Sequence, residues 1–106
     1  MAVIVMTSKA KTLVDSIKGE INDGKIQTWV VDDEGDFQHD TSSQQWKRAW
    51  IHPQSYGKCS IEFTPLFPSK YEASALDLGV IQGRFSEMLI GHFSKYIDNI
   101  VITPAK

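Results

Sequence analysis

The chain has one cysteine, Cys59, in 106 residues. A lone thiol has no partner within the chain, so no internal disulfide can brace the fold, and the count fits a reducing compartment. No apolar run approaches the roughly 20 residues needed to cross a bilayer. The run from Ala2 to Met6 is too short for a signal-peptide core and is followed at once by Lys9 and Lys11 inside a helical pattern. A cytoplasmic, non-membrane protein is expected. Charge of one sign is also missing: the formal net charge is -2 and the Lys and Arg residues are scattered, which argues against nucleic acid as a partner. There is no G-x-G-x-x-G, no P-loop and no G-x-S-x-G around any serine. Without those motifs no cofactor is expected and no nucleophile is marked. Internal repeats, low-complexity segments and linkers are absent as well, so residues 1–106 read as one compact domain, long enough to bury a core without metal support.

What is present is clear hydrophobic periodicity. From Ser69 to Asp98, at about 100° per residue, Leu78, Ile81, Phe85, Met88, Leu89, His92, Phe93 and Tyr96 fall on one side, the pattern of a core-facing helix. Ser69 followed by Glu72 has capping-box spacing and marks its start. His92 lies in the apolar stripe, where a charged imidazolium would be costly to desolvate, so it is expected neutral and buried. Gly79 and Gly83 sit on another side, each costing a helix interior about 1 kcal/mol relative to alanine. That cost suggests a close approach there, by the first helix or by a second copy of the chain.

Before the long helix the chain alternates between the two periods. Ala2 to Met6 is a continuous apolar run suited to an interior strand. A helix from Ser8 to Asp23 follows, with Ala10, Leu13, Val14, Ile17 and Ile21 at helical spacing, Thr7 and Ser8 as caps and Gly24 as the stop. Ile26 to Asp32 and Phe37 to Asp40 read as strands joined by a hairpin loop, Asp33 to Asp36, with glycine at positive φ. Thr41 to Gln45 has room for one helical turn. Trp46 to His52 reads as a strand ended by Pro53, and Lys58 to Thr64 as another, with Cys59, Ile61 and Phe63 on one face. Pro65 and Pro68 bracket a connection, because proline lacks the donor a ladder needs. Ile100 to Thr103 is a last short strand. The order is β-α-β-β-β-β-α-β: an α+β domain with two helices packed on a mainly antiparallel sheet.

Three groups of residues bear on function. Asp32, Asp33, Glu34, Asp36, His39 and Asp40 crowd one loop, and Asp36, His39 and Asp40 would suit a metal-dependent hydrolase, although Asp and Gly are also ordinary turn residues. His39 and His52, each in a strand, could meet Asp40 or Glu62 across the sheet as an acid–base pair. Cys59, on the face of Ile61 and Phe63, reads as a buried, inert thiol. The third group is aromatic. Alternation puts Trp46, Arg48, Trp50 and His52 on one strand face, and Trp29 shares a face with Val31. If the helices cover the face of Ala49, Ile51, Ile61 and Phe63, then Trp29, Arg48 and Trp50 become candidates for a partner-binding surface; if the tryptophans point to the helices, they are core. Because no acid, base, nucleophile and cofactor cradle converge, a non-enzymatic protein-binding domain is expected ahead of a hydrolase. Self-association as a homodimer through the aromatic face, or an inhibitor- or immunity-like role, is compatible with the size and mild acidity.

Overall fold

The computed structural model describes residues 2–40 and 49–104. Among the described residues six strands and two helices follow one another as β1 (Val3–Met6), α1 (Ala10–Asn22), β2 (Trp29–Val31), β3 (Phe37–His39), β4 (Trp50–Tyr56), β5 (Ser60–Leu66), α2 (Ala75–Phe93) and β6 (Asn99–Ile102), with a 3₁₀ turn, Ser94–Tyr96, after α2. This is the expected α+β order. The strands form one sheet in the sequence β2-β3-β4-β5-β1-β6, and every pairing is antiparallel. β1 lies between β5 and β6, so its continuous apolar run is that of an interior strand, as expected.

Period two decides which side chains meet the helices. Val3, Val5, Phe37, Ile51, Ile61 and Phe63 point to one face and are 0–2 % exposed, joined there by Trp29. Leu13, Val14 and Ile17 of α1 and Ile81, Phe85, Leu89 and Phe93 of α2 meet them in one continuous core. Both helices therefore cover the same face. At its centre Phe85 lies 4.7 Å from Phe63, 5.3 Å from Trp29 and 5.8 Å from Phe37, ring centre to ring centre, spacings at which offset and edge-on aromatic pairs attract. Gln82 is also buried, at 1 % exposed. With its amide turned to satisfy both ends, its oxygen accepts from Ala2 N at 3.1 Å and its nitrogen donates to Leu78 O at 3.3 Å.

Several boundaries differ from those read in the sequence. α2 begins at Ala75, not near Ser69: Ser74 Oγ accepts from Asp77 N at 3.0 Å, and Asp77 Oδ2 accepts from Ser74 N at 3.0 Å. Ser74 and Asp77 have the same spacing as Ser69 and Glu72, but they stand directly before the apolar stripe, and Tyr71 OH donates to Asp77 Oδ2 at 2.5 Å to hold the cap in place. Pro53 does not end β4, and Pro65 lies inside β5 rather than in a connection. The described β3 pairing stops at Phe37↔Ile51 and the β1 pairing at Val3↔Phe63, so each proline sits where its strand has a described neighbour on one side only, the edge-like setting in which a strand tolerates proline. A register shift follows Pro53. The single turn expected over Thr41 to Gln45, and the start of the strand at Trp46, lie outside the described residues.

Two side chains change environment. His92 is exposed: at the last turn of α2 the apolar stripe overhangs a groove, and Phe93, fully buried, takes the core position. Cys59 is exposed too, because β5 starts at Ser60, two residues later than expected, and the alternation with Ile61 does not extend into the turn. A Cβ at Gly79 or Gly83 would meet nothing within 4 Å, so neither α1 nor any other described segment makes the expected close approach. α1 itself starts at Ala10 after an N-cap without a side-chain bond; Thr7 Oγ1 instead accepts from Lys9 N at 3.1 Å. Gly24, at φ 77°, stops it as expected.

Candidate functional site

With both helices on one side, no described element packs on the other face of the sheet. Register lays out that face. Val30, Gln38, Trp50 and Leu66 follow one another across β2, β3, β4 and β5 as cross-strand neighbours. His52 and Thr64 form the next row, and Glu62, Ile4 and Val101 the one beyond the bulge. Apolar groups thus gather at two places, around Trp50 and around Ile4, with His52, Thr64 and Glu62 between them. Trp50 is half-buried, Leu66 is 41 % exposed and Val30 37 %.

The hairpin between β2 and β3 rises beside Trp50. Asp32 organises it: Asp32 Oδ1 accepts from Glu34 N and from Asp36 N, both at 2.9 Å, Asp32 N donates to Asp36 O at 2.9 Å, and Gly35 N donates to Asp32 O at 3.1 Å. Gly35 has φ 84°, the left-handed conformation expected for this loop. Its end places Asp36 on the open face, mostly buried, where its Oδ1 meets His52 Nδ1 at 2.5 Å. The register that pairs Phe37 with Ile51 makes Asp36 and His52 the next neighbours along the same two strands. Asp32, Asp33, Glu34 and Asp36, together with Trp50, Leu66 and Phe67, enclose a cleft of about 540 Å³. One wall is acidic and the other is apolar. Phe67 is held there by stacking on Tyr71, with ring centres 5.5 Å apart and planes at 23°.

The residues singled out in the sequence are separated by this arrangement. Trp29 is 2 % exposed on the covered face, edge-on to His39 at 5.0 Å and to Phe85, whereas Trp50 lies on the open face. The expectation that the two tryptophans share a surface is therefore corrected: Trp29 pairs with His39 and Trp50 with Gln38, one residue apart in a strand whose side chains alternate. Arg48 lies outside the described residues. Asp36, His39 and Asp40 do not converge either. Asp36 is on the open face, His39 is buried on the helix side, and Asp40 follows β3 with its backbone N donating to Thr28 O at 2.8 Å. Among the described residues no three His, Cys, Asp or Glu side chains are grouped to hold a metal ion. An acid–base contact of the kind sought between a strand histidine and a carboxylate does form, but between His52 and Asp36 rather than Asp40 or Glu62.

A second concavity, about 410 Å³, lies on the helix side between β2 and the end of α2, where Trp29, His39, Met88 and His92 line it with Arg84 and Glu87. Arg84 Nη1 is 3.5 Å from Glu87 Oε1, so the two charges on its rim offset each other. Leu66 and Phe67 are the members of the Trp50 cleft that sequence reading passed over. Their signal, two apolar residues between prolines, resembles that of any tethered loop, and only the pairing of Leu66 with Trp50 brings them to the site. Comparison with protein-family models, with curated proteins and with solved structures found no match.

Proposed function

We propose that the protein is a non-enzymatic binding domain whose protein partner, another chain or a second copy of itself, seats on the open face of the sheet around Trp50. The observation that carries this reading is the position of Trp50: a half-buried tryptophan beside Leu66, on the face that neither helix covers. Tryptophan in such a setting is a frequent interface anchor, because its large apolar area is desolvated only when a partner arrives. Trp29, by contrast, is 2 % exposed and packs edge-on against Phe85 and His39, so it has little area left for a partner. Arg48, two residues before Trp50, belongs to the same proposal by sequence alternation. An inhibitor- or immunity-like role is the form of this function that fits a small domain without a cofactor cradle.

The experiment pairs sedimentation with denaturant melts for the wild type and Trp50→Ala. Loss of Trp50 is expected to weaken self-association or partner binding by about 2 kcal/mol or more and to leave the fold nearly intact. A monomeric wild type whose Trp50→Ala variant merely unfolds sooner would remove self-association and return Trp50 to a packing role.

One observation favours a second reading, hydrolysis with Asp36 and His52 as the acid–base pair: the 2.5 Å contact resembles the orientation of an imidazole by a carboxylate. Thr64, the hydroxyl across the strand from His52, donates to Gln54 Oε1 at 2.8 Å and is thus engaged elsewhere. Turnover of simple activated esters that disappears in His52→Ala would support this reading.

A further inference from the structure

We infer that the occupant of the Trp50 cleft is a cationic segment of another protein, with a Lys or Arg side chain laid along Trp50 and its charged head between Asp33 and Glu34. The inference rests on the reading of the open face as a binding surface and specifies the chemistry of what binds there. The cleft sets two demands at once. Its apolar wall, Trp50, Leu66 and Phe67, calls for aliphatic or aromatic area. Its opposite wall is acidic. Of the carboxylates there, Asp32 accepts from two backbone amides of its own loop and Asp36 meets His52. Asp33 and Glu34 are exposed, and their side chains enter none of these contacts.

Charge complementarity then selects among occupants. A purely apolar partner would draw water away from Asp33 and Glu34 without replacing it, which costs free energy. An anionic partner would be repelled. A Lys or Arg side chain meets both demands, because its methylene stem covers apolar surface while its head stays with the carboxylates, and a cation held over an indole gains a further attraction from the ring face. No Lys or Arg of the described chain lines the cleft. Lys18, whose Nζ lies 3.2 Å from where a Cβ at Gly35 would stand, is not among the lining residues. A second copy could present Lys9, Lys11 and Lys58, which border a separate concavity at the start of α1. That contact would join two different patches, giving a head-to-tail association instead of a closed pair.

The test is selection of a display library of random dodecapeptides on the full-length protein, followed by affinity measurements with the synthesised winners. Enrichment of peptides that combine Lys or Arg with an apolar neighbour is expected. Their binding should weaken about tenfold or more in the Asp33→Asn/Glu34→Gln double variant and in Trp50→Ala, and should fall as salt rises. Both acidic positions are exposed, so the double variant keeps its fold, which circular dichroism checks. Uncharged or acidic winners that still depend on Trp50 overturn the inference about charge while leaving the open-face reading standing. Winners indifferent to Trp50→Ala, or no winners, overturn both. A wild type that forms concentration-dependent oligomers, dispersed by Lys58→Glu, assigns the cleft to a second copy and overturns the inference.

Discussion

Phe85 and Trp50 are both large aromatic residues placed by helical period or regular alternation, yet one is fully buried and the other keeps part of its surface in water. Phe85 is fully buried among Trp29, Phe37 and Phe63, so truncating it opens a cavity in the core between α2 and the sheet. Phe85→Ala is expected to cost about 3–5 kcal/mol of unfolding free energy, the sum of lost transfer energy and residual cavity. A urea melt that shows less than about 1 kcal/mol lost would remove α2 from its role as the organiser of the core. Trp50 keeps part of its area in water, so Trp50→Ala is expected to cost the fold less than Phe85→Ala does. His52 is the residue whose neighbour was least readable. It meets Asp36 because of a register that two aligned strands define and that neither strand contains alone.

At the scale of elements, the start of α2 shows how two identical spacings are resolved. Ser69 with Glu72 and Ser74 with Asp77 both match the capping pattern, but Lys70, Glu72 and Ala73 offer no stripe that could bury a turn starting at Ser69. Helices of this length draw most of their stability from the packed face, so the cap that stands next to that face prevails. Ser74→Ala is expected to lower stability by about 1 kcal/mol and Ser69→Ala by a few tenths at most, as measured by thermal or chemical melts. Equal losses at the two positions would contradict the observed start. The exposed glycines of the same helix, Gly79 and Gly83, lie where a Cβ would meet open space. The expected close approach is thus not made within the described chain.

For the whole molecule the decisive fact is that the helices lie on one side of a six-stranded antiparallel sheet. This divides the polar residues as well as the apolar ones. Asp36 and His39 are three residues apart in sequence but on opposite sides of a sheet, so they cannot bind the same ion. Thermal melts with EDTA, Ca²⁺, Mg²⁺ or Zn²⁺ are expected to coincide, since a ligand bound to the native state at about 100 times its dissociation constant would add nearly 3 kcal/mol. A shift with any one metal would show that a site has been overlooked. Among the described residues no helix is long and apolar enough to cross a membrane.

The sequence by itself determined the element order, the core-facing stripe of α2 from Leu78 to Phe93, the interior place of β1 and the glycine turn at Gly35. Each of these follows from a local period or a local backbone requirement: 3.6 residues for a helix, two for a strand, positive φ for the loop. The tertiary structure decided what depends on relations between segments. It put Trp29 inside and Trp50 outside, because a shift of one residue in pairing reverses the face. It joined Asp36 to His52, and it brought Leu66 and Phe67 beside an acidic hairpin some thirty residues earlier in the chain. It also exposed His92 and Cys59, whose positions in a periodic pattern suggested burial, because a pattern states which way a side chain points and only the neighbouring elements determine whether anything covers it there.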